Sequence, residues 1–475
     1  MNQQLKEVVE KVVQEYSITD EFLIKALAKF EDSMTEGLSK PPAREHMPMI
    51  PTFVTDIPTG KENGLFLAGD LGGTNFRVCS IKLNGDHTFE LQQSKFRIPL
   101  DLMSHSTGDE LFSYLAGKVQ SFLKEFHSEL ADASGSSESN TLKLGFTFSF
   151  PVDQTALNQG TLIRWTKGFD LPDCVNKDVV DMLQTHLDNL DVNVKVAALA
   201  NDTVGTLLSR AYSNDSSKSN SNTIVGAIFG TGTNGAYFET FDRIKKLDSS
   251  KFTGKTGMVI NTEWGSFDNK LEILPNTKYD QIIDSQTSNK GYHLFEKRIS
   301  GMFLGELLRV TLIELFKENH IFVDLFNERG GSLPHRLSEP WQLDAEVLSY
   351  LQIDDSTDLK MSELILQNHL RLPTNKEERL VIKALTRAIS HRAAYLSAIP
   401  LAAIAKRVAK QYENDDKDFE FGLDGSVIEF YPGFKEKVLE AIDIIDPLKG
   451  TNKKIHLKIA KDGSGVGAAL CASTA

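Results

Sequence analysis

The stretch that constrains the architecture most is Leu67-Ala68-Gly69-Asp70-Leu71-Gly72-Gly73-Thr74-Asn75-Phe76-Arg77. It leaves an apolar run typical of a strand, turns through Asp70 and two adjacent glycines, and enters a second apolar run. Glycine lets backbone N–H groups approach a ligand closely, and successive N–H groups in a turn can bind an anion. A carboxylate before the turn and an arginine after it suit a magnesium-bound polyphosphate. Alone, the pattern is equally typical of a plain hairpin whose Asp bonds its own turn.

A second unit of the same outline follows later in the chain. It has an apolar strand at Thr223–Phe229, a turn at Gly230–Gly235 and an exit strand at Ala236–Glu239. The turn matches G-x-G-x-x-G, but β-like residues follow it where a dinucleotide-binding fold needs a helix. Gly254-Lys255-Thr256 lacks the first glycine of a P-loop, because Ser249 stands there. Two phosphate-binding hairpins therefore predict a duplicated nucleotide fold with a cleft between its halves.

Bulk composition limits the class of protein. The chain has 475 residues and a net charge of −13, so we expect two or more domains and neither a nucleic-acid nor an anionic-membrane partner. The N-terminus has no apolar signal region, and the longest near-apolar run is too short to span a bilayer. The cysteines form no CxxC pair, which indicates a reducing, cytoplasmic location without disulfides or structural zinc; they are Cys79, Cys174 and Cys471.

Hydrophobic periodicity predicts an α/β chain. Two amphipathic helices open it, the second ending at Gly37, and residues 300–411 are mostly helical. Predicted strands are Leu65–Ala68, Arg77–Leu83, Phe89–Phe96, Leu142–Phe148, Val194–Leu199 and Lys454–Ile459. Further predicted helices are Asp109–Leu130, Lys177–Leu190, Val204–Tyr212, Lys435–Asp443 and a short one opened by residues 462–465. Two polar stretches, Ala133–Thr141 and Ser213–Thr223, are predicted surface loops.

Asn201-Asp202 lies between a predicted buried strand and a predicted helix. One interpretation is a helix N-cap, for which Asn and Asp are favoured. The other is a general base at the carboxyl edge of a sheet, where open α/β sheets bind ligands. There a carboxylate can orient an alcohol and accept its proton during phosphoryl transfer.

Three further segments combine small polar groups with aromatic side chains or a carboxylate. The first also has a plainer interpretation as a surface loop with a half-buried Trp, and the Glu of the last as a solvated helix residue. Together they supply the donors and acceptors that an uncharged polyol needs. They are Arg164–Phe169, Asn261–Asp268 and Gly291–Arg298, the last containing Glu296.

The chain resembles the eukaryotic-type hexokinase family, unrelated to the ROK kinases, from about residue 20 to 471. Residues 291–298 look most like fungal glucokinases within that family. The motifs that carry the resemblance, in order, are Leu67–Arg77, Leu144–Pro151, Trp165–Phe169, Leu199–Gly205, Gly230–Tyr237, Asn261–Asp268, Phe295–Lys297, Met302–Leu307, Gly422–Phe434 and Asp462–Ala469.

The resemblance implies an actin-like ATPase (ribonuclease H-like) fold with two α/β domains flanking a cleft. The small domain would comprise residues 65–201 plus 460–475, and the large domain residues 1–64 plus 202–459. The implied reaction is ATP-dependent phosphorylation of the 6-hydroxyl of glucose, the first step of glycolysis. The implied partners are glucose, ATP and Mg²⁺, with a homodimer possible.

The resemblance also implies roles for individual residues. Asp202 would be the base, with Arg77 and Lys167 as further catalytic residues, and Asp70 and Asp202 would lie near magnesium through water. The sugar would be lined by Ser149, Thr166, Lys167, Asn201, Asp202, Asn234, Glu263 and Glu296. ATP would be held by Asp70, Gly72, Gly73, Thr74, Asn75, Arg77, Thr231, Gly232, Gly425 and Ser426.

The sequence departs from the family pattern twice. Tyr292-His293 replaces a Gln-Gln pair of many relatives, on the anomeric side of the sugar, and Glu429 replaces a Lys, so we leave Glu429 out of the site. Two other functions are possible: a catalytically silent glucose-binding regulator of the same fold, or an actin- or chaperone-like ATPase without a sugar. The actin- or chaperone-like ATPase does not explain the cluster of Ser149, Thr166-Lys167 and Glu263.

Overall fold

The structure, a computed structural model, describes residues 3–131, 141–165 and 168–475. Within them the strands are β1 (Ile50–Pro51), β2 (Asn63–Leu71), β3 (Asn75–Asn84), β4 (Phe89–Arg97), β5 (Leu142–Phe148), β6 (Val152–Ala156), β7 (Gln159–Leu162), β8 (Val194–Ala200), β9 (Ser221–Phe229), β10 (Thr233–Thr240), β11 (Gly257–Asn261), β12 (Asp418–Asp424) and β13 (Ile455–Ile459).

The helices include long ones, which cover the sheets, and short ones in the connections. They are α1 (Gln3–Glu15), α2 (Asp20–Ser39), α3 (Leu100–Ser104), α4 (Gly108–Phe126), α5 (Ser128–Ala131), α6 (Val179–Asn189), α7 (Asp202–Ser213), α8 (Ser216–Ser219), α9 (Lys278–Gln286), α10 (Glu296–Ile299), α11 (Gly301–Lys317), α12 (Val323–Glu328), α13 (His335–Ser338), α14 (Ala345–Ile353), α15 (Lys360–Leu370), α16 (Lys376–Val408), α17 (Ser426–Phe430), α18 (Phe434–Ile445) and α19 (Gly463–Ser473).

Two sheets share one plan. The first has the order β4-β3-β2-β5-β8, and the second has the order β1-β11-β10-β9-β12-β13. In each, a three-stranded antiparallel meander is extended by two parallel strands: β5 and β8 beside β2, and β12 and β13 beside β9. β6 and β7 form a separate hairpin. The duplication predicted from the two hairpins is therefore confirmed.

The chain first crosses between the sheets from β1 to β2, and it crosses again at two equivalent points. α7 follows β8 of the first sheet but packs on β9 and β10 of the second, whereas α19 follows β13 of the second sheet and packs on β5 and β2 of the first. The two helices also pack on each other, and glycines make this possible. A Cβ at Gly467 would lie 2.0 Å from the Cα of Gly205, and one at Gly145 would lie 1.9 Å from the carbonyl oxygen of Ala468.

Three groups of buried apolar residues hold these layers. One lies between the first sheet and α4 and α6, and includes Phe112 and Phe146. A larger one joins the second sheet to α11, α16 and the N-terminal helices. A third surrounds α7 and α19 and includes Val204 and Val466. The two crossings fall at the predicted domain boundaries, and the division into 65–201 plus 460–475 and 1–64 plus 202–459 stays a prediction.

Most predicted elements are present, and the errors have local causes. Helix α2 does not end at Gly37 but continues to Ser39; Gly37 is there because a Cβ would lie 2.3 Å from the carbonyl oxygen of Met47. The predicted helix 109–130 ends at Phe126, where His127 leaves helical geometry, and a separate short helix follows. The predicted loop 213–223 contains α8 and the first residues of β9.

Other predictions have simpler outcomes. Of the predicted loop 133–141, all but Thr141 lies outside the described residues. The three cysteines form no disulfide with one another, as predicted, and all are buried. Of the helices described, none has the length and apolar character that a bilayer crossing requires.

Candidate active site

The carboxyl ends of β2, β5 and β8 bring three predicted site segments to one edge of the first sheet. Asp70 pairs in register with Thr147, and Thr147 with Ala200. Ser149 and Asn201-Asp202 directly follow the last two strands. The backbone N–H of Ser149 donates to the carbonyl of Leu71 at 3.2 Å, which fixes the exit of β5 against the end of β2.

Asn201 is the N-cap of α7, so the helix N-cap interpretation is confirmed for this residue. Its side-chain oxygen accepts from the backbone N–H of Thr203 at 2.9 Å and from the Thr203 hydroxyl at 2.5 Å. These bonds orient the amide and leave its –NH₂ as the donor end. Asp202 occupies the first helical position, and its Oδ1 accepts from the same N–H at 2.9 Å. Its half-buried carboxylate thus has a fixed place where the chain crosses between the sheets.

The turn after β2 is open. A Cβ at Gly72 or Gly73 would meet no described heavy atom within 4 Å, and neither glycine has a positive φ. These glycines are therefore required neither by packing nor by backbone conformation. Close approach of a ligand to the backbone N–H groups is the remaining physical reason for them, which favours a phosphate-binding turn over a plain hairpin.

Arg77 lies in β3 of the first sheet and contacts residues that follow β13 of the second sheet. Its guanidinium donates to Asp462 at 2.7 Å, to Asp70 at 3.3 Å and to the hydroxyl of Ser464. Burial disfavours the charge, but the neighbouring acidic groups outweigh it and raise the pKa of Arg77. The carboxyl edges of the two sheets therefore converge on this side chain.

The matching edge of the second sheet holds the other predicted phosphate contacts. Gly425 has φ +110°, and a Cβ there would lie 2.5 Å from the carbonyl of Phe229. The turn after β9 is held from the other side, because the N–H of Gly301 donates to Gly230 at 2.8 Å and that of Met302 to Thr231 at 3.2 Å. Thr231 and Ser426 are exposed beside this junction, and Gly232 follows in the same turn.

Asp424 lies immediately before Gly425, and its Oδ1 accepts from the Gly425 N–H at 2.6 Å. Burial raises the pKa of Asp424 and the bond from the Gly425 N–H opposes it; of the smaller effects, the charge of Asp462 raises the pKa and Arg77 lowers it. Asp70 and Asp462 pair with one guanidinium, and Asp424 adds a third carboxylate within its electrostatic influence, which leaves an excess of negative charge at the convergence of the sheets.

This donor set fits magnesium. Mg²⁺ prefers oxygen ligands, keeps several waters, and is usually held by one or two carboxylates together with substrate phosphates. Within the described part of the chain, no three acidic, His or Cys side chains form a closed metal cage. Asp70 and the neighbouring carboxylates therefore suit a metal bound through water and phosphate.

A cluster of amides and a carboxylate lies at the start of β10 and the end of β11. The amide of Asn234 donates to Asn261 at 2.7 Å and to Glu263 at 3.2 Å, and the amide of Asn261 donates to Glu263 at 2.8 Å. Glu263 has a left-handed backbone, φ +51°. The three side chains fix one another, and they present both donors and acceptors, as a polyol site requires.

Glu296 begins α10, and its side chain reaches the turn between β9 and β10, which is the second turn. Its Oε2 accepts from the backbone N–H of Thr233 at 3.0 Å, and its Oε1 lies 3.3 Å from His293 Nδ1. A Cβ at Gly232 would lie 2.9 Å from Oε2. The sequence analysis assigned Glu296 to the sugar site together with Asn234 and Glu263. In the structure all three border the turn between β9 and β10.

The aromatic wall around Trp165 is part of the first core. Trp165 stacks on Phe169 with ring centroids 5.2 Å apart, and its Nε1 donates to the carbonyl of Leu171 at 2.8 Å. It is half-buried, as the plainer interpretation expected. Thr166 and Lys167, predicted for the sugar site, lie outside the described residues.

Comparisons with known proteins place the chain in a family. Models described as Hexokinase match residues 8–212 and 224–474. The chain belongs to the hexokinase family. It is 49% identical to glucokinase-1 of Saccharomyces cerevisiae, over 99% of this chain and 97% of that protein. It is 46% identical to the glucokinase of Aspergillus niger, over 95% and 93% of the two chains.

A solved hexokinase confirms the predicted fold. The hexokinase from Schistosoma mansoni complexed with glucose superimposes with a TM-score of 0.83 at 34% identity, covering 100% of this chain and 99% of that one. The chain therefore has the α/β actin-like ATPase fold of hexokinases. The individual site residues stay predictions, now with the geometry described above.

The sequence prediction of the site omitted three polar residues. Asn261 completes the amide cluster, Asp462 pairs with Arg77 as Asp70 does, and the charge of Asp424 interacts with both Asp462 and Arg77. A signal for Asp424 existed, because it stands between an apolar strand and a glycine just as Asp70 stands before Gly72. Asp462 follows β13 as Asp202 follows β8, so the internal repeat also pointed to it.

Proposed function

We propose that this hexokinase-family chain transfers the terminal phosphoryl group of ATP to the 6-hydroxyl of glucose, producing glucose 6-phosphate at the first step of glycolysis. The observation that carries the proposal is the arrangement of the two sheet edges. A polyol-type cluster borders one turn, carboxylates from the carboxyl ends of both sheets meet at Arg77, and Asp202 stands at the crossing between the sheets. The family's glucokinases and the glucose-bound relative support glucose as the acceptor.

Asp202 would act as the base. A carboxylate in hydrogen-bond reach of the 6-hydroxyl orients that oxygen and takes its proton as the O–P bond forms. The Thr203 N–H bond to Oδ1 fixes the position of the carboxylate. Because Asp202 lies on a chain crossing, movement of one sheet against the other would carry it toward or away from the sugar, and closure would exclude water as a competing acceptor.

The sugar would be bound by fixed polar groups from both sheets. Asn234, Glu263 and Glu296 would bind hydroxyls on one side, and Ser149 and Asn201 on the other. The resemblance adds Thr166 and Lys167. Each side chain presents a donor or acceptor to a neutral hydroxyl, so the site discriminates by hydrogen-bond pattern rather than by charge.

The nucleotide would be bound mainly by backbone groups. The N–H groups of the first turn, residues 72–75, and of the second turn, residues 231–232, would contact the phosphates, with Gly425 and Ser426 beside them. Arg77 and Lys167 would stabilise the negative charge on the transferring phosphoryl group. Magnesium, bound by phosphate and by water near Asp70 and Asp202, would neutralise phosphate charge.

A coupled assay for glucose 6-phosphate on the purified protein tests the proposal. A catalytically silent regulator would bind glucose without forming product. An actin- or chaperone-like ATPase would hydrolyse ATP at the same rate with and without hexose. We expect product formation that depends on both glucose and Mg-ATP, and rates with mannose and fructose in the same assay measure the preference among hexoses.

Location and assembly belong to the same proposal. The free, buried cysteines suit a reducing compartment such as the cytoplasm, and fractionation of cells with an antibody to this chain tests that location. A homodimer is tested by sedimentation velocity across a hundredfold range of protein concentration, where a dimer predicts a concentration-dependent increase in sedimentation coefficient.

A further inference from the structure

The segment between α9 and α10, residues 287–295, is fixed at several points. The N–H of Gly291 donates to both carboxylate oxygens of Asp284, at 3.0 and 3.1 Å. The ammonium of Lys297 donates to the carbonyl of Asn289 at 3.0 Å and also to Asp284 at 2.7 Å. The N–H of Leu294 donates to the side chain of Asn269 at 3.2 Å. The segment is therefore held as one conformation.

His293 has an unfavourable backbone conformation inside this segment. Its φ is +55°, a left-handed value that costs a non-glycine residue free energy and is maintained only where the surroundings impose it. Such residues concentrate at functional sites. The neighbouring Tyr292 ring lies 4.3 Å from the imidazole, centroid to centroid, and Arg44 lies over Tyr292 at 5.5 Å. The imidazole is thus restrained on its Tyr292 side.

The restrained imidazole faces Glu296. Nδ1 of His293 lies 3.3 Å from Oε1 of Glu296, while Oε2 accepts from the Thr233 N–H. The two contacts approach different oxygens of the carboxylate and so define its orientation. Gly265 leaves the space for this arrangement, since a Cβ there would lie 3.3 Å from both the Glu296 side chain and His293 Nδ1.

We propose that His293 is the positioning residue for Glu296, and that it sets the affinity for the single sugar hydroxyl that Glu296 binds. This inference rests on the proposed function. With its proton on Nδ1, the imidazole donates to Oε1 and holds the carboxylate toward the sugar. A donor at this position removes the alternative rotamers of Glu296 in the empty site, so less ordering is required when the sugar binds.

Two substitutions test the role of the side chain. H293G removes the imidazole and also removes the backbone cost, because glycine adopts positive φ readily; H293Q retains an N–H donor. For H293G we expect kcat/KM for glucose to fall about tenfold, the equivalent of about 1.4 kcal/mol, which is modest because both side chains are roughly one-fifth exposed. The loss should appear in KM with kcat within about twofold, because Glu296 contacts a non-reacting hydroxyl. H293Q should recover most of the loss.

Substrate analogues distinguish positioning from a general structural effect. The probes are 1,5-anhydroglucitol and 2-, 3- and 4-deoxyglucose, each lacking one hydroxyl. The E296Q variant identifies the hydroxyl that Glu296 binds. It is the hydroxyl missing from the analogue whose kcat/KM changes least on this substitution. For that same analogue we expect kcat/KM of H293G to lie within about twofold of wild type. For the other analogues we expect kcat/KM of H293G to remain about tenfold lower than wild type. K290A is the matched control, because Lys290 is exposed in the same segment.

The outcomes separate this inference from the proposed function. An equal loss of kcat/KM for H293G with glucose and every analogue, or unchanged kinetics with glucose, overturns the positioning role while leaving wild-type glucose phosphorylation intact. Failure of the wild-type protein to phosphorylate glucose overturns the proposed function itself. Melting temperatures of H293G and K290A within a few degrees of wild type show that the kinetic comparison concerns folded protein.

Discussion

Replacement of Gly425 by alanine tests the nucleotide side of the site most selectively. Gly425 has φ +110° and ψ 148°, a region occupied almost only by glycine, where another residue costs about 1–3 kcal/mol. The new methyl group would lie 2.5 Å from the carbonyl carbon and oxygen of Phe229 and 2.7 Å from the nitrogen of Gly230. These are backbone atoms of the second turn, so no side chain can rotate away.

The size of the effect follows from the geometry. Ordinary contact begins at 3.4 Å, and the methyl group would lie at 2.5 Å, so the Gly425–Ser426 segment and the second turn must separate by about 0.9 Å. A displacement of about 1 Å at a reacting centre costs on the order of a hundredfold in rate. We therefore expect kcat/KM for ATP to fall about a hundredfold in G425A. The affinity for glucose should stay within about twofold, because Asn234, Asn261 and Glu263 are held by bonds among their own side chains.

The assay is steady-state kinetics with ATP varied at saturating glucose, together with glucose titration by calorimetry. Gly433 supplies the control, because its φ is also positive, +75°, but a Cβ there would meet no described atom within 4 Å. G433A should therefore cost only about 1 kcal/mol of backbone strain and leave kcat/KM for ATP near wild type. A folded G425A variant with kcat/KM for ATP within threefold of wild type would refute the assignment of this junction to the nucleotide.

Two further substitutions test the convergence at Arg77. D424N keeps the bond from the Gly425 N–H but removes a charge whose pKa in the folded protein is raised, first by burial. Stability from such a group is present below its unfolded pKa and lost as pH rises through the folded value, so D424N should be more stable than wild type at pH 7. That advantage should disappear in melting curves as the pH falls below the ordinary Asp pKa of 3.8; equal melting temperatures throughout would contradict the assigned environment. R77M leaves Asp70 and Asp462 without their shared cation and should lower the free energy of unfolding by about 2 kcal/mol, measured by denaturant titration. An unchanged unfolding midpoint would mean that Arg77 does not connect the two sheets.

The order of the elements was predictable because each sheet repeats one local pattern. Apolar strands, glycine turns and the Asn201-Asp202 junction are signals within a few residues, so both hairpins and most of the strands were found. The two crossings were not found from the residues alone. They depend on α7 and α19 packing on the opposite sheet, which small residues such as Gly205 and Gly467 permit only in three dimensions.

The residues of the site could be predicted from the sequence to a similar extent. Glu296, Asn234 and Glu263 were assigned to the sugar by resemblance, and the structure places them around one turn. Asp462 was missed because it pairs with Arg77 across 385 residues of chain. Asp424 was missed because its charge interactions with Asp462 and Arg77 also arise only in the folded chain. Gly37 was misassigned for a related reason: a glycine required by a tight contact and a glycine that ends a helix look the same in sequence.

The most direct test of the proposed phosphoryl transfer is the D202N variant, measured for glucose 6-phosphate formation and for glucose binding. Asparagine retains an oxygen for the Thr203 N–H but cannot accept the proton of the 6-hydroxyl. We expect kcat to fall by about 10²–10⁴-fold, the range for loss of a general base, while the dissociation constant for glucose stays within about threefold. A kcat within tenfold of wild type would contradict the role of Asp202 as the base.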